Sequence, residues 1–145
     1  MSSPGFSETL DLSLKPSAGA VRWLAALHAA AILLTVAAEP PRWAGLALAA
    51  LFIASWASLR RHPAFGYGPR ALVRLIWHVE GGWTLEDTAG RRYDASLDGR
   101  SLAQPWLLVL NFRLQLGGRR TRILLGDELG SELLRRLRAR LLAGA

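Results

Sequence analysis

Few side chains in this 145-residue sequence can do chemistry, and their spacing narrows the choice further. The histidines His28, His62 and His78 lie in separate segments, and no two are spaced as metal ligands. Cysteine is absent, which removes disulfides, zinc knuckles and thiol nucleophiles. The sole lysine, Lys15, follows no glycine-rich loop, so a phosphate-cradling loop is excluded as well. Glu80, Glu86, Asp87, Asp94 and Asp98 are spread over turns and solvent-facing strand positions, a poor arrangement for a general acid and base. Recognition by charge remains. The net charge is +7, and residues 60–145, with fifteen arginines against eight acids, account for all of it. Arg113 on an exposed strand face, and Arg135, Arg136 and Arg138 on a terminal helix, are the partner-binding candidates. The expectation is a binding protein, with no enzyme activity, cofactor or metal.

The elements that position these groups are organised around an apolar stretch near the start. Residues 20–38 and 43–59 form two apolar runs separated by Glu39-Pro40-Pro41-Arg42, which cannot continue a helix. Each run is ~26–28 Å long as a helix, close to the ~30 Å hydrocarbon core of a bilayer. Between Trp23 and Ala38 the only polar side chains are His28 and Thr35, and from Trp43 to Leu59 they are Ser55 and Ser58 beside Trp56. A soluble helix would carry a polar face along its length. A signal peptide would end in a cleavage site rather than run into a second apolar segment. The reading is a transmembrane helical hairpin. Lys15, Arg22, Arg60, Arg61, Arg70 and Arg74 flank its open end, against Arg42 beside Glu39 at the turn, which places both termini in the cytoplasm. Small residues, among them Ala26, Ala30, Gly45 and Ala49, would let the helices approach, and His28 falls at a depth where it can hydrogen-bond Ser55. One histidine with no carboxylate at its depth makes no proton relay, so packing is the favoured role.

The rest alternates with the period of strands. Leu10, Leu12 and Leu14 share one side of a segment that Pro16 ends, and this lone strand within residues 1–19 must join a sheet on the same side of the membrane. Residues 60–71 are a Gly- and Pro-rich linker. Residues 72–145 read as an antiparallel meander with a final helix. Val73, Leu75, Trp77 and Val79 face one way up to a two-residue turn at Gly81-Gly82. Trp83 and Leu85 follow, then Tyr93, Ala95 and Leu97. The longest strand runs Leu108, Leu110, Phe112, Leu114, Leu116 and turns at Gly117-Gly118 into a return strand from Arg120 to Leu125. Asp127 is placed as the N-cap of a helix whose Leu129, Leu133, Leu134, Leu137 and Leu141 cover the sheet. The fold class is membrane α+β: a two-helix transmembrane hairpin plus a small cytoplasmic antiparallel sheet closed by a C-terminal helix. A basic β domain could also meet anionic lipid headgroups or nucleic acid, the latter being the weaker option beside a membrane. Homo-oligomers through the small residues of the helices stay open.

This order of features resembles the YgfX/CptA family of small bacterial inner-membrane proteins. The features are the Leu-rich segment ending in Pro16-Ser17, His28 in the first helix, the Pro-containing turn, and the Gly82-Trp83 hairpin. The strand after Pro105-Trp106, and Asp127 ahead of Leu133-x-Arg135-Arg136-Leu137, complete the match. The resemblance implies a multi-pass toxin paired with a small soluble antitoxin, the SdhE/CptB protein, and action on the cytoskeletal proteins FtsZ and MreB, hence on cell shape and division. Because SdhE is linked to succinate dehydrogenase, an adaptor role in respiratory-complex assembly is the alternative. The family supplies no catalytic residues to transfer.

Overall fold

The computed structural model describes residues 8–143. Two long helices, α1 (Ala18–Ala37) and α2 (Arg42–Leu59), follow a short strand, β1 (Leu10–Ser13). A 3-10 turn (Pro63–Phe65) then leads into β2 (Leu72–Trp77), β3 (Trp83–Asp87), β4 (Arg92–Leu97), β5 (Leu102–Ala103), β6 (Leu108–Leu114) and β7 (Arg119–Leu124), and α3 (Ser131–Ala143) ends the chain. All strand pairs are antiparallel, in the order β1-β2-β3-β4-β6. β4 and β5 share one edge of β6 and β7 takes the other.

β1 is the strand that ties the two parts of the chain together. Leu10 pairs with Trp77 and Ser13 with Arg74, although the whole helical hairpin lies between them in sequence. Leu12 and Leu14 are buried in the core. That core fills the concave face of the sheet with Leu75, Trp83, Leu85, Leu108, Leu110, Phe112 and Leu124, and α3 closes it with Leu134, Leu137 and Leu141.

The structure corrects several local expectations. A bulge between Leu72 and Arg74 shifts the register, so Leu72 rather than Val73 enters the core. The turn after β2 is a five-residue loop, His78–Gly82, closed by Trp77 opposite Trp83, and Val79 is left exposed. β6 ends at Leu114, where the N–H donates to Gly118 O, so Leu116 stands at the hairpin tip, 99% exposed. The second glycine in each Gly-Gly pair marks the end of a longer loop. α3 starts at Ser131, three residues later than an Asp127 cap would require, because Asp127 is engaged elsewhere.

Of the side chains in α1 and α2, only Ala20 is buried. Trp23, Leu33, Leu34, Trp43, Leu46 and Ile53 are exposed on helices of 20 and 18 residues. Water is a costly solvent for so much apolar surface, whereas lipid tails match it.

Candidate functional site

His28 sits at the centre of the helix pair. Its Nδ1 hydrogen-bonds Leu24 O at 2.7 Å and its Nε2 pairs with Ser55 Oγ at 3.2 Å, while the edges of Phe52 and Trp56 pack around the ring. This contact selects the facing stripes, the half-buried Val21, Leu24, His28, Ala31 and Thr35 on α1 with Leu48, Phe52 and Ser55 on α2. Ala26 and Ala30 lie off that stripe and are exposed. Gly45 is half-buried beside Pro40, and Ala49, one position off the stripe, is exposed and lines with Gly45 a cavity of about 270 Å³ near the turn.

The junction between hairpin and sheet is held by a dense set of hydrogen bonds. Ser17 begins α1 as its N-cap, Oγ accepting from the Ala20 N–H at 3.0 Å. The same hydroxyl donates to Asp127 Oδ1 at 2.9 Å, and the Gly19 N–H donates to Asp127 Oδ2 at 2.6 Å. An acid expected to cap the last helix therefore caps the first, where its charge meets the positive end of a 20-residue dipole. Desolvation would raise the Asp127 carboxyl, but the donors Gly19 and Ser17 outweigh it and hold the group below its ordinary value. The Ser17 N–H donates to Phe65 O, and Tyr67 Oη donates to Ser17 O at 3.1 Å, which ties the linker to the same point.

Arg122, which the sequence did not single out, completes this junction, and its burial is unusual for an arginine. It is fully buried on the inner face of β7, next to Leu124. Its Nη2 donates to Lys15 O at 2.7 Å, while Nε and Nη1 have no hydrogen-bond partner among the described residues. Burial pulls the guanidinium below its ordinary pKa, and the charges of Glu128 and Asp127 resist that shift. Glu128, also buried, accepts from the N–H groups of Leu125 and Gly126. The signal in the sequence was the alternation Arg120, Arg122, Leu124, which puts Arg122 on the face of a core leucine.

The arginines proposed for partner contact divide into two groups. Arg135 and Arg136 both pair with Glu132 at 2.9 Å, and hydrogen bonds from these two guanidiniums hold the Glu132 carboxyl down at about 2. Arg113 reaches Asp98 at 3.5 Å. Arg138 makes no ion pair among the described residues, and its Nε is buried without a partner. The structure does not gather the four into one patch: α3 carries three, and Arg113 lies across the sheet on β6.

The acids form hairpin braces. Asp87 is buried and accepts from the Ala89 and Arg91 N–H groups, Arg91 Nε and Tyr93 Oη; these donors overcome the desolvation that would raise it and keep it below its ordinary value. On the outer face, His78 Nε2 meets Thr84 Oγ1 at 2.8 Å, and Thr84 donates onward to Asp94 at 3.1 Å. The hydroxyl has one proton, given to Asp94, so His78 supplies the other hydrogen. Among the described residues no cluster of three acids or histidines could hold a metal ion.

No curated protein and no solved structure matches the chain. The family model described as the membrane-bound toxin component of a toxin–antitoxin system matches residues 8–145. That span takes in the hairpin, the junction and the closing helix, and the chain belongs to this family of membrane-bound toxins, each the partner of an antitoxin.

Proposed function

We propose that this toxin is a non-enzymatic regulator that works by contact. Its cytoplasmic domain engages the bacterial cytoskeletal proteins FtsZ and MreB, and a small soluble antitoxin of the SdhE/CptB type neutralises it. It crosses the inner membrane twice, with both termini in the cytoplasm. The supporting observation is the pairing of β1 with β2: the strand before the hairpin and the strand after it belong to one sheet, so both ends of the hairpin share one side. Lys15, Arg22, Arg60, Arg61 and Arg70 surround those ends without a carboxylate partner among the described residues, which favours the cytoplasmic face and contact with anionic headgroups.

Expression with and without the SdhE-type partner, scored by cell shape, tests the function. Misshapen or undivided cells that recover on co-expression support it; unaltered shape at confirmed membrane levels counts against it. Recovery of succinate dehydrogenase subunits instead of filaments, on purification from detergent, would move the protein to the adaptor role. Because the chain has no cysteine, single substitutions report topology cleanly. An impermeant maleimide should label Pro41→Cys from outside intact spheroplasts and leave Gly117→Cys unlabelled.

A further inference from the structure

A cavity of about 610 Å³ opens between the sheet and the end of α3, within the size range of built binding sites. Its walls include Trp77, Trp83, Leu97, Leu102, Ala103 and Leu141. The two indoles stack with centroids 4.6 Å apart and give the cavity a rigid aromatic wall. Apolar surface continues outside: Leu102 is 43% exposed and Leu142, at the end of α3, is 68% exposed. Ser96, Asp98 and Ser101 add polar groups to a mostly apolar lining, and arginines stand close to the rim. Arg140 lies over Trp77 at 4.5 Å, donates to the carbonyls of Glu8 and His78, and has no carboxylate partner among the described residues. Arg138, one turn before Leu141, has no ion pair among the described residues, and neither has Arg100, which follows the lining Gly99 and whose backbone N–H donates to Asp98 Oδ1. Asp98 at the rim is already shared with Arg113. Arg100, Arg138 and Arg140, each within three residues of the lining, thus outnumber Asp98, its lining carboxylate.

Position separates the two kinds of partner such chemistry could serve. β2 starts at Leu72 beside the linker from α2 and ends at Trp77, and β1 runs from Leu10, opposite Trp77, toward α1. The cavity mouth is therefore at the strand ends remote from both membrane helices, ~17–20 Å away along a six-residue strand. That separation favours a soluble protein over headgroups at the other end of the strand. We infer that this cavity is the docking site of the antitoxin: an acidic protein surface that inserts one or two large apolar side chains between Trp77 and Leu141 and sets carboxylates against Arg138 and Arg140. This rests on the toxin–antitoxin reading above. The anchor in the pocket would supply most of the affinity and the arginines the rate of encounter.

The test uses the full chain in lipid nanodiscs and, as probe, the purified SdhE-type protein of the same genome. Ala103→Trp fills the cavity, and Leu102→Glu places a negative charge at its mouth on a half-exposed side chain. Leu116→Glu makes the same charge change at a hairpin tip outside the cavity. The expected result is a Kd at least tenfold weaker for Ala103→Trp and Leu102→Glu, a Kd within twofold of the parent for Leu116→Glu, and unchanged melting temperatures for the two glutamate variants. If the parent binds and the two cavity variants bind equally well, the docking site is wrong while the toxin–antitoxin pairing stands. Equal weakening by Leu116→Glu would likewise replace the cavity with diffuse charge. No binding by the parent overturns the pairing with this probe and the docking site together. Removal of residues 1–7 should leave Kd within twofold; a tenfold gain would assign the cavity to that segment instead.

Discussion

Arg122 is fully buried, yet a carbonyl from the strand-to-helix connector takes one of its hydrogens. Truncation removes that bond, strands Lys15 O and leaves a cavity, so Arg122→Ala should cost about 2–4 kcal/mol, read from denaturant unfolding of the purified protein. Gly66 faces the same guanidinium with φ +92°, where an added Cβ would collide with it. Gly66→Ala should therefore destabilise by about 1–3 kcal/mol through backbone strain and overpacking. Asp127 makes a prediction about pH. Its carboxyl lies below the ordinary value in the fold, so the stability it gives is present above the unfolded pKa of ~4 and drains as pH falls through the native value. Asp127→Asn should unfold about 1 kcal/mol more easily at pH 7, with the gap narrowing as pH falls below the unfolded pKa and closing below the native one, as measured by melting in detergent. At this scale the sequence was least legible. Asp127 precedes a helix and looks like its cap, and only the fold brings it to Ser17, across nearly the whole chain. Arginine is read as solvated because it almost always is. Composition cannot show that a carbonyl and two nearby carboxylates await it inside.

The elements were far easier to read, because each rests on a period that a dozen residues repeat. The two apolar runs, the alternation in β1 and β6 and the leucine arc of α3 follow from short-range patterning alone. What escaped were places where a single residue alters the count. The bulge at Leu72–Arg74 inverts one register, two glycines end loops longer than two residues, and β5 is too short at two residues to show any alternation. In the helix pair, Ser55→Ala removes the partner of His28, and its cost should be about 0.6–1.7 kcal/mol, with a double-mutant cycle against His28→Ala showing coupling of the same size. Along α3 the candidate arginines are unequal. Glu132 occupies Arg135 and Arg136, whereas Arg138 is unpaired among the described residues. Arg138→Ala should weaken antitoxin binding by severalfold more than Arg135→Ala, with the difference shrinking as salt is raised.

For the whole molecule, one consequence follows from β1, which supplies Leu12 and Leu14 to a core otherwise built after the hairpin. Residues 60–145 alone lack that strand and should show no fixed near-ultraviolet circular dichroism, and a peptide of residues 8–16 added in excess should restore it. The general layout could be foreseen, since a lone amphipathic strand needs a sheet and only one was on offer; how tightly the junction is bonded could not, since those contacts join residues about a hundred positions apart. Leu10 finds its partner only when Trp77 has been made, about 3–13 s later at ordinary rates of translation. By then the apolar segment between them has had time to enter the bilayer. If insertion leaves the two flanks in different compartments, β1 never meets β2 and the core stays open. The finished sheet would thus act as a proofreading step: a wrongly threaded copy would lack the β1–β2 pairing and leave its domain open to proteolysis.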